Sequence, residues 1–385
     1  MIYKNIKIYV DEEKVIENGY IVEEKGLIKI VEDMEFFNEK QYEGKEIMDF
    51  SGCCVYPGFI DAHTHVGVWE SGLAFEGADG NEETDPITPH LRAIDAVNPE
   101  DEFFFDALKN GITTVITGPG SANPIAGNFV ALKTFGCCVD DMVIKDSVGI
   151  KFSLGENPKS VYNEKDVMPT TRMGVAAVIR EQLEKARRYI KKMEEDEQDL
   201  EFDVKCEALL PLLKRKEKAF FHCHRADDIF TSIRIAKEFN LKFALIHATQ
   251  GHMIANKLKG LGVIYGPMIC DKSKPELRNF SEKSPSILLK NGVMVAICTD
   301  SPVVPVGHLR LSCALAIKEG LLKKDALKAI TKDAAKICGI YDMVGSLKVG
   351  KMANFVVFEK EEDLFSIYSS PVYVIIDGKI VYEKK

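Results

Sequence analysis

The sequence predicts an α/β chain in which a (β/α)8, TIM-like barrel carries a small β-sandwich domain built from both chain termini. Three observations predict it. Between residues 57 and 345, apolar strand-like runs alternate with helical stretches in about eight units, the pattern of a parallel barrel. Residues 1–56 and 346–385 read instead as short strands, so the two ends form one composite domain around a different middle. His63, His65, Lys151, His222, His247 and Asp300 fall at or near strand C-terminal ends, where such barrels carry their reactive groups.

In order along the chain, the first segment offers strands at Ile6 to Val10, Tyr20 to Val22, Leu27 to Val31 and Glu46 to Phe50, punctuated by Gly19 and Gly26. The last offers Asn354 to Phe358, Val372 to Ile376 and Lys379 to Tyr382, the final two joined by the hairpin dipeptide Asp377-Gly378. In the middle, a long loop at 66–97 precedes a helix expected to start with Asn98 as cap and Pro99 at its first position. Strands follow at Thr113 to Thr117, Asn128 to Leu132 and Val148 to Phe152. A long helix spans Gly174 to Glu195. Helix Glu207 to Lys216 leads into strand Ala219 to His224, and helix Asp227 to Asn240 into Phe243 to His247. Helix Met253 to Leu258, strand Gly262 to Tyr265, helix Ser284 to Asn291 and strand Val293 to Asp300 complete the pattern.

Composition bounds the partners. With 46% hydrophobic and 28% charged residues, the 385-residue chain can bury an ordinary globular core. A formal charge of −9 and no basic stripe argue against nucleic acid. The alternating N-terminus lacks the apolar run of a signal peptide, and no stretch is long enough to span a membrane. Ten cysteines without export signals read as reduced thiols, so a cytoplasmic location is expected. Cys53-Cys54 and Cys137-Cys138 lack CxxC spacing and are expected as strand or core residues.

The chemistry centres on Val55-Tyr-Pro-Gly-Phe-Ile-Asp-Ala-His-Thr-His65. Residues two apart on a strand share a face, so His63 and His65 project together and can meet at one metal ion. Asp300 ends the last strand before Pro302; a carboxylate there can bind a metal and accept a proton. His222 and His247 supply imidazoles from neighbouring strands. Lys151 is a cation that burial would penalise unless paired; carboxylation by CO₂ converts such an amine into an anionic oxygen ligand. Gly118-Pro-Gly120 lacks a following GK[ST] and reads as a strand terminator, and Glu82, Glu83 and Asp85 read as loop residues.

Taken together, Pro57-Gly-Phe-Ile-Asp-Ala-His-Thr-His65, His222, His247 and Thr299-Asp300 resemble the amidohydrolase superfamily, and within it the imidazolonepropionase-related members. Val344 to Val357 resembles that family's return into its β domain, so the resemblance covers nearly the whole chain. It implies one or two divalent metal ions, zinc foremost, with iron or manganese as alternatives. His63, His65 and Asp300 would hold the more buried ion, His222 and His247 the second, and a carboxylated Lys151 would bridge them. It implies hydrolysis of a C–N bond in an amide, a cyclic one foremost, by metal-bound hydroxide with Asp300 as general acid and base. His222 is the expected ligand of the pair 222 and 224, which leaves His224 to meet substrate or to orient a neighbour.

Weaker substrate candidates are His90 and Arg92 in the loop after the first barrel strand, His252, and His308 on the last loop. Alternatives on the same scaffold are an aminohydrolase, a prolidase-like dipeptidase and a non-catalytic homologue. Arg225 stands where an aminohydrolase of this superfamily typically carries a glutamate, which counts against the first. Retention of every expected ligand type counts against the last. The expected partner is a small-molecule substrate, and a homo-oligomer is expected from the resemblance.

Overall fold

The computed structural model describes residues 1–195, 200–359 and 362–385, and among them the named strands gather into two sheets. One is built from the chain ends, in the order Lys379–Glu383, Tyr373–Ile376, Phe355–Glu359, Cys53–Pro57, Ile2–Tyr9, Val15–Glu24 and Leu27–Asp33; Ile47–Asp49 also pairs with Ile2–Tyr9. The termini are joined where Cys53–Pro57 runs antiparallel to Phe355–Glu359. The expected sandwich is thus one continuous hydrogen-bonded sheet; two separate facing sheets are not part of its pairing. Strand alternation buries both sides. Phe355, Val357 and Ile375 enter a core with Tyr3, Ile8 and Val55, while Val356, Phe358, Val374 and Ile376 join the large apolar cluster around the barrel. The Asp377-Gly378 turn has positive φ at both residues (50° and 72°), as a two-residue type I′ hairpin requires.

The second sheet holds the barrel strands, hydrogen-bonded in chain order: β1 (Phe59–Thr64), β2 (Ile112–Thr117), β3 (Ile125–Lys133), β4 (Val143–Ser153), β5 (Lys218–Cys223), β6 (Lys242–His247), β7 (Gly262–Tyr265) and β8 (Met294–Ile297). Closure between β8 and β1 is made just past β8. The Asp300 amide donates to the His63 carbonyl (3.2 Å) and the His65 amide to the Ser301 carbonyl (2.8 Å). Inside the barrel, Ile60, Phe129, Phe220, Ile246 and Ala296 form an apolar plug, and helix Lys332–Cys338 packs against it at the strand starts. The strand ends are left for polar groups.

Several expectations change. β3 runs antiparallel to β2 and β4, because the connections at 118–124 and 134–142 are too short for the crossover that parallel neighbours need. The segment 66–97 is not all loop: Ile87–Arg92 is a strand paired in parallel with β3. The first helix starts later than Pro99, at Glu102–Lys109, because the Asp101 carboxylate caps it by accepting the Phe103 amide, whereas Asn98 closes only a local turn. An unanticipated helix, Glu156–Glu164, follows β4. The stretch Gly251–Lys257 is 3-10 rather than α-helical. Cys53 and Cys54 lie in a strand as expected, but Cys137 and Cys138 are exposed beside the four-residue helix Val139–Met142, outside any core.

Gly149 (φ 150°) sits where β4 meets β5. A Cβ there would lie 2.2 Å from the Lys218 carbonyl oxygen and 2.8 Å from the Phe220 ring. Gly149→Ala is therefore expected to cost about 2–4 kcal/mol, read as a lowered melting temperature by calorimetry. An unchanged transition would show that the strand pair can open to admit a methyl group.

Candidate active site

Five barrel strands deliver the cluster. His63 lies in β1 and His65 just past it; Lys151 lies in β4, His222 in β5, His247 at the end of β6 and Asp300 three residues past β8. Two of these depart from simple alternation. Ala244 and Ile246 fill the interior, yet the next residue, His247, also turns into the cluster; its φ of 68° permits this, as a φ of 57° does for Asp300. Such left-handed backbone at non-glycine residues costs energy and collects at functional sites.

The distances are short. His63 Nε2 and His65 Nε2 lie 3.2 and 3.4 Å from Asp300 Oδ1, and Lys151 Nζ lies 3.4 Å from His63 Nε2. Two overlapping groups each place their ligand atoms within 4.8 Å of one another: His63, His247 and Asp300, and His222, His224 and His247. The ring centroids of His222 and His247 are 4.6 Å apart, and His224 stacks on His247 at the same separation. The histidines and Lys151 are all buried.

Hydrogen bonds fix the tautomers. His65 Nδ1 is 2.7 Å from the Gly118 carbonyl and His247 Nδ1 is 2.7 Å from the Gly266 carbonyl. A carbonyl only accepts, so each Nδ1 carries the proton and each Nε2 turns a lone pair into the cluster. His65 thereby aims a lone pair at a carboxylate oxygen, an arrangement that calls for a cation between them. Among the described residues, both ring nitrogens of His222 and Nδ1 of His63 are buried with no hydrogen-bond partner. Such groups are costly unless they coordinate something. The donor set, neutral imidazoles with a carboxylate, fits a borderline divalent metal.

Electrostatics points the same way. Burial holds His63, His222 and His224 below the usual imidazole range and lowers His247 to about 4. Burial opposes ionisation of Asp300, but the surrounding imidazoles outweigh it and keep the carboxyl well below its ordinary range. Burial also lowers Lys151 to about 8, with Asp300 opposing. Among the described residues no carboxylate forms an ion pair with Lys151; its ammonium lies 5.2 Å from the Phe129 ring centroid.

Some candidates lie elsewhere. His90 and Arg92 face an adjoining cavity of about 770 Å³, and Arg92 pairs with Asp146 at 3.2 Å. His252 is held by the Thr249 carbonyl and the Ser284 hydroxyl, and neither it nor His308 lines the cluster's cavity of about 850 Å³. His224 does line it, with Nδ1 2.7 Å from the Thr249 hydroxyl. Glu83 and Asp85 pair with Lys165 and Lys205, as loop residues do.

Other residues escaped the sequence reading. The Asp61 carboxylate accepts the Thr299 amide (3.2 Å) and hydroxyl (2.5 Å), tying the end of β8 to β1 and so placing Asp300; its position two before His63 was the available signal. Glu276 is buried with Oε1 3.7 Å from His224 Nε2. The Trp69 ring meets His65 edge-on at 4.5 Å. Neither carried a spacing signal.

The family model described as "Amidohydrolase family" matches residues 54–381. An amidohydrolase from Thermotoga maritima MSB8 superposes with a TM-score of 0.94 at 36% identity, over 100% of both chains. An imidazolonepropionase of Fusobacterium nucleatum is 24% identical, the match covering 97% of this chain and 94% of that protein. The amidohydrolase tasK of Hapsidospora irregularis is 26% identical over 95% of this chain, which spans only 40% of its length. With its histidines, lysine and aspartate gathered at the strand ends of an amidohydrolase-like barrel, this chain belongs to the amidohydrolase family, among relatives of the imidazolonepropionases.

Proposed function

We propose that the protein is a metal-dependent hydrolase of a C–N bond in a small amide, a cyclic amide foremost. The observation that carries this is the pair of carbonyl-fixed tautomers at His65 and His247, which leaves imidazole lone pairs facing the Asp300 carboxylate. His63, His65 and Asp300 would hold one divalent ion; His222 and His247 would hold a second, with His224 in reach of it. When bound, such an ion supplies Lewis-acid chemistry, lowering the pKa of water and polarising a carbonyl.

The chain's own residues do the rest. Asp300 accepts the proton of the attacking water on its carboxylate and returns it to the leaving nitrogen, so one side chain serves as base and then acid. Asp61 and the Thr299 amide and hydroxyl fix that carboxylate's strand end. The apolar plug beneath excludes bulk water. Lys151 is buried, lowered to about 8 and, among the described residues, without an ion-pair partner; as the neutral amine it would add to CO₂ with loss of a proton, and the resulting carbamate would offer anionic oxygens as further ligands. Arg225 donates to Asp227 (2.7 Å), so the place where an aminohydrolase would carry its glutamate holds a cation engaged elsewhere.

Chelator-stripped protein is expected to lose turnover on small cyclic amides and to regain it with Zn²⁺. The same titration should shift the emission of Trp69, the sole tryptophan, through its contact with His65; full turnover after stripping would refute the metal reading. Asp300→Asn is expected to lower kcat by about 10²–10⁴, measured with metal content held equal. For Lys151, ¹³C-bicarbonate should give a carbamate resonance absent from Lys151→Ala; identical spectra would leave the lysine as an unmodified amine.

A further inference from the structure

The cavity above the histidines has one wall that the hydrolytic reading does not use. Lys274 lies on the connection between β7 and β8 and lines this cavity together with Asn157 and Ser121. The Lys274 ammonium donates to Asn157 Oδ1 at 2.8 Å, and Asn157 Nδ2 donates to Ser121 Oγ at 2.6 Å. Asn157 is a neutral acceptor, so this contact positions the ammonium without neutralising it. Among the described residues Lys274 forms no ion pair, whereas Lys165 and Lys205 on nearby elements are each matched to a carboxylate. Accepting from Asn157 leaves the Ser121 hydroxyl proton free to donate.

The other charged groups of the cavity differ. The Asp271 carboxylate, on the same connection, is exposed and accepts the Ser273 amide, and the buried Glu276 carboxyl beside His224 feels the Lys274 charge without pairing with it. Lys151 is at the floor among the imidazoles, and Asp300 belongs to the same cluster. Glu70 receives the Asn98 side-chain amide. A half-buried ammonium, fixed by a neutral amide and facing a cavity that ends in a hydrolytic centre, is suited to fasten a negative group on the molecule being hydrolysed.

We propose that Lys274, with Ser121 and held by Asn157, is a carboxylate-binding subsite, so that the substrate is a small amide that also carries a carboxylate. This rests on the hydrolytic reading for what lies at the floor, but not for the binding itself. An ammonium and a hydroxyl donor converge on one wall while the reacting bond lies over the histidines. Lys274 is then a specificity-determining residue, and neutral amides of the same shape bind less well.

The test uses matched pairs of probes: 5-oxoproline and its carboxamide, and N-acetylglycine and N-acetylglycinamide. Binding to the purified protein is followed by the emission of Trp69, which lines the same cavity. In at least one pair the carboxylate is expected to bind about tenfold more tightly than its carboxamide, the worth of one charge-assisted hydrogen bond. In Lys274→Met that ratio falls to near one, and in Lys274→Arg it is retained. Circular dichroism of both variants checks the fold. Equal binding within both pairs, no binding by any probe, or a ratio that survives Lys274→Met would overturn the subsite. Hydrolysis is assayed separately: a Lys274-dependent ratio without turnover would sink the hydrolase reading and leave the subsite standing, and turnover without the ratio would do the reverse.

Discussion

Everything at the mouth of this barrel follows from one electrostatic constraint: several buried imidazoles and the partly buried Asp300 carboxylate are crowded together at the floor of one cavity. The carbonyls of Gly118 and Gly266 choose the tautomers, and that choice turns nitrogen lone pairs inward. Burial holds His63 and His222 below the usual imidazole range, so protonation of those rings does not relieve the crowding. A cation does. The site is thus prepared by the backbone as much as by the ligands themselves, since two loop carbonyls set the direction in which His65 and His247 turn their lone pairs.

The scaffold meets that demand by separating its two ends. At the strand starts, apolar residues and a short helix fill the interior; at the strand ends, backbone bonds around Asp300 and the Asp61–Thr299 contact close the ring where the charge is gathered. Left-handed backbone at His247 and Asp300 is tolerated because both residues are tied down on each side. The irregularities therefore lie where the chemistry is, and the regular packing lies away from it.

Much of this was legible in the sequence, for identifiable reasons. The His63–His65 spacing, the strand-end positions of His222 and His247 and the Asp300-to-Pro302 stop are local signals, and the cluster assembles from them. Asp377-Gly378 was readable because turn chemistry is also local. The direction of β3 was not, because it depends on the length of connections whose ends are uncertain by a few residues. Nor was the strand Ile87–Arg92, whose pairing with β3 arises only after the barrel forms. Glu276 and Trp69 reach the cluster through loops, and loop side chains have no period to betray them. His90 and Arg92 follow from the same ignorance: they sit near the site along the chain, but the added strand turns them toward a neighbouring space.

The antiparallel contact between Cys53–Pro57 and Phe355–Glu359 has a bearing on biogenesis. A ribosome releases the first of these segments some 300 residues before the second, so the terminal sheet is completed only after the barrel can already begin to pack. During synthesis the early strands expose a long unpaired edge, open to misassociation. Phe355–Glu359 acts as a clasp, and its arrival ends the chain's most vulnerable interval.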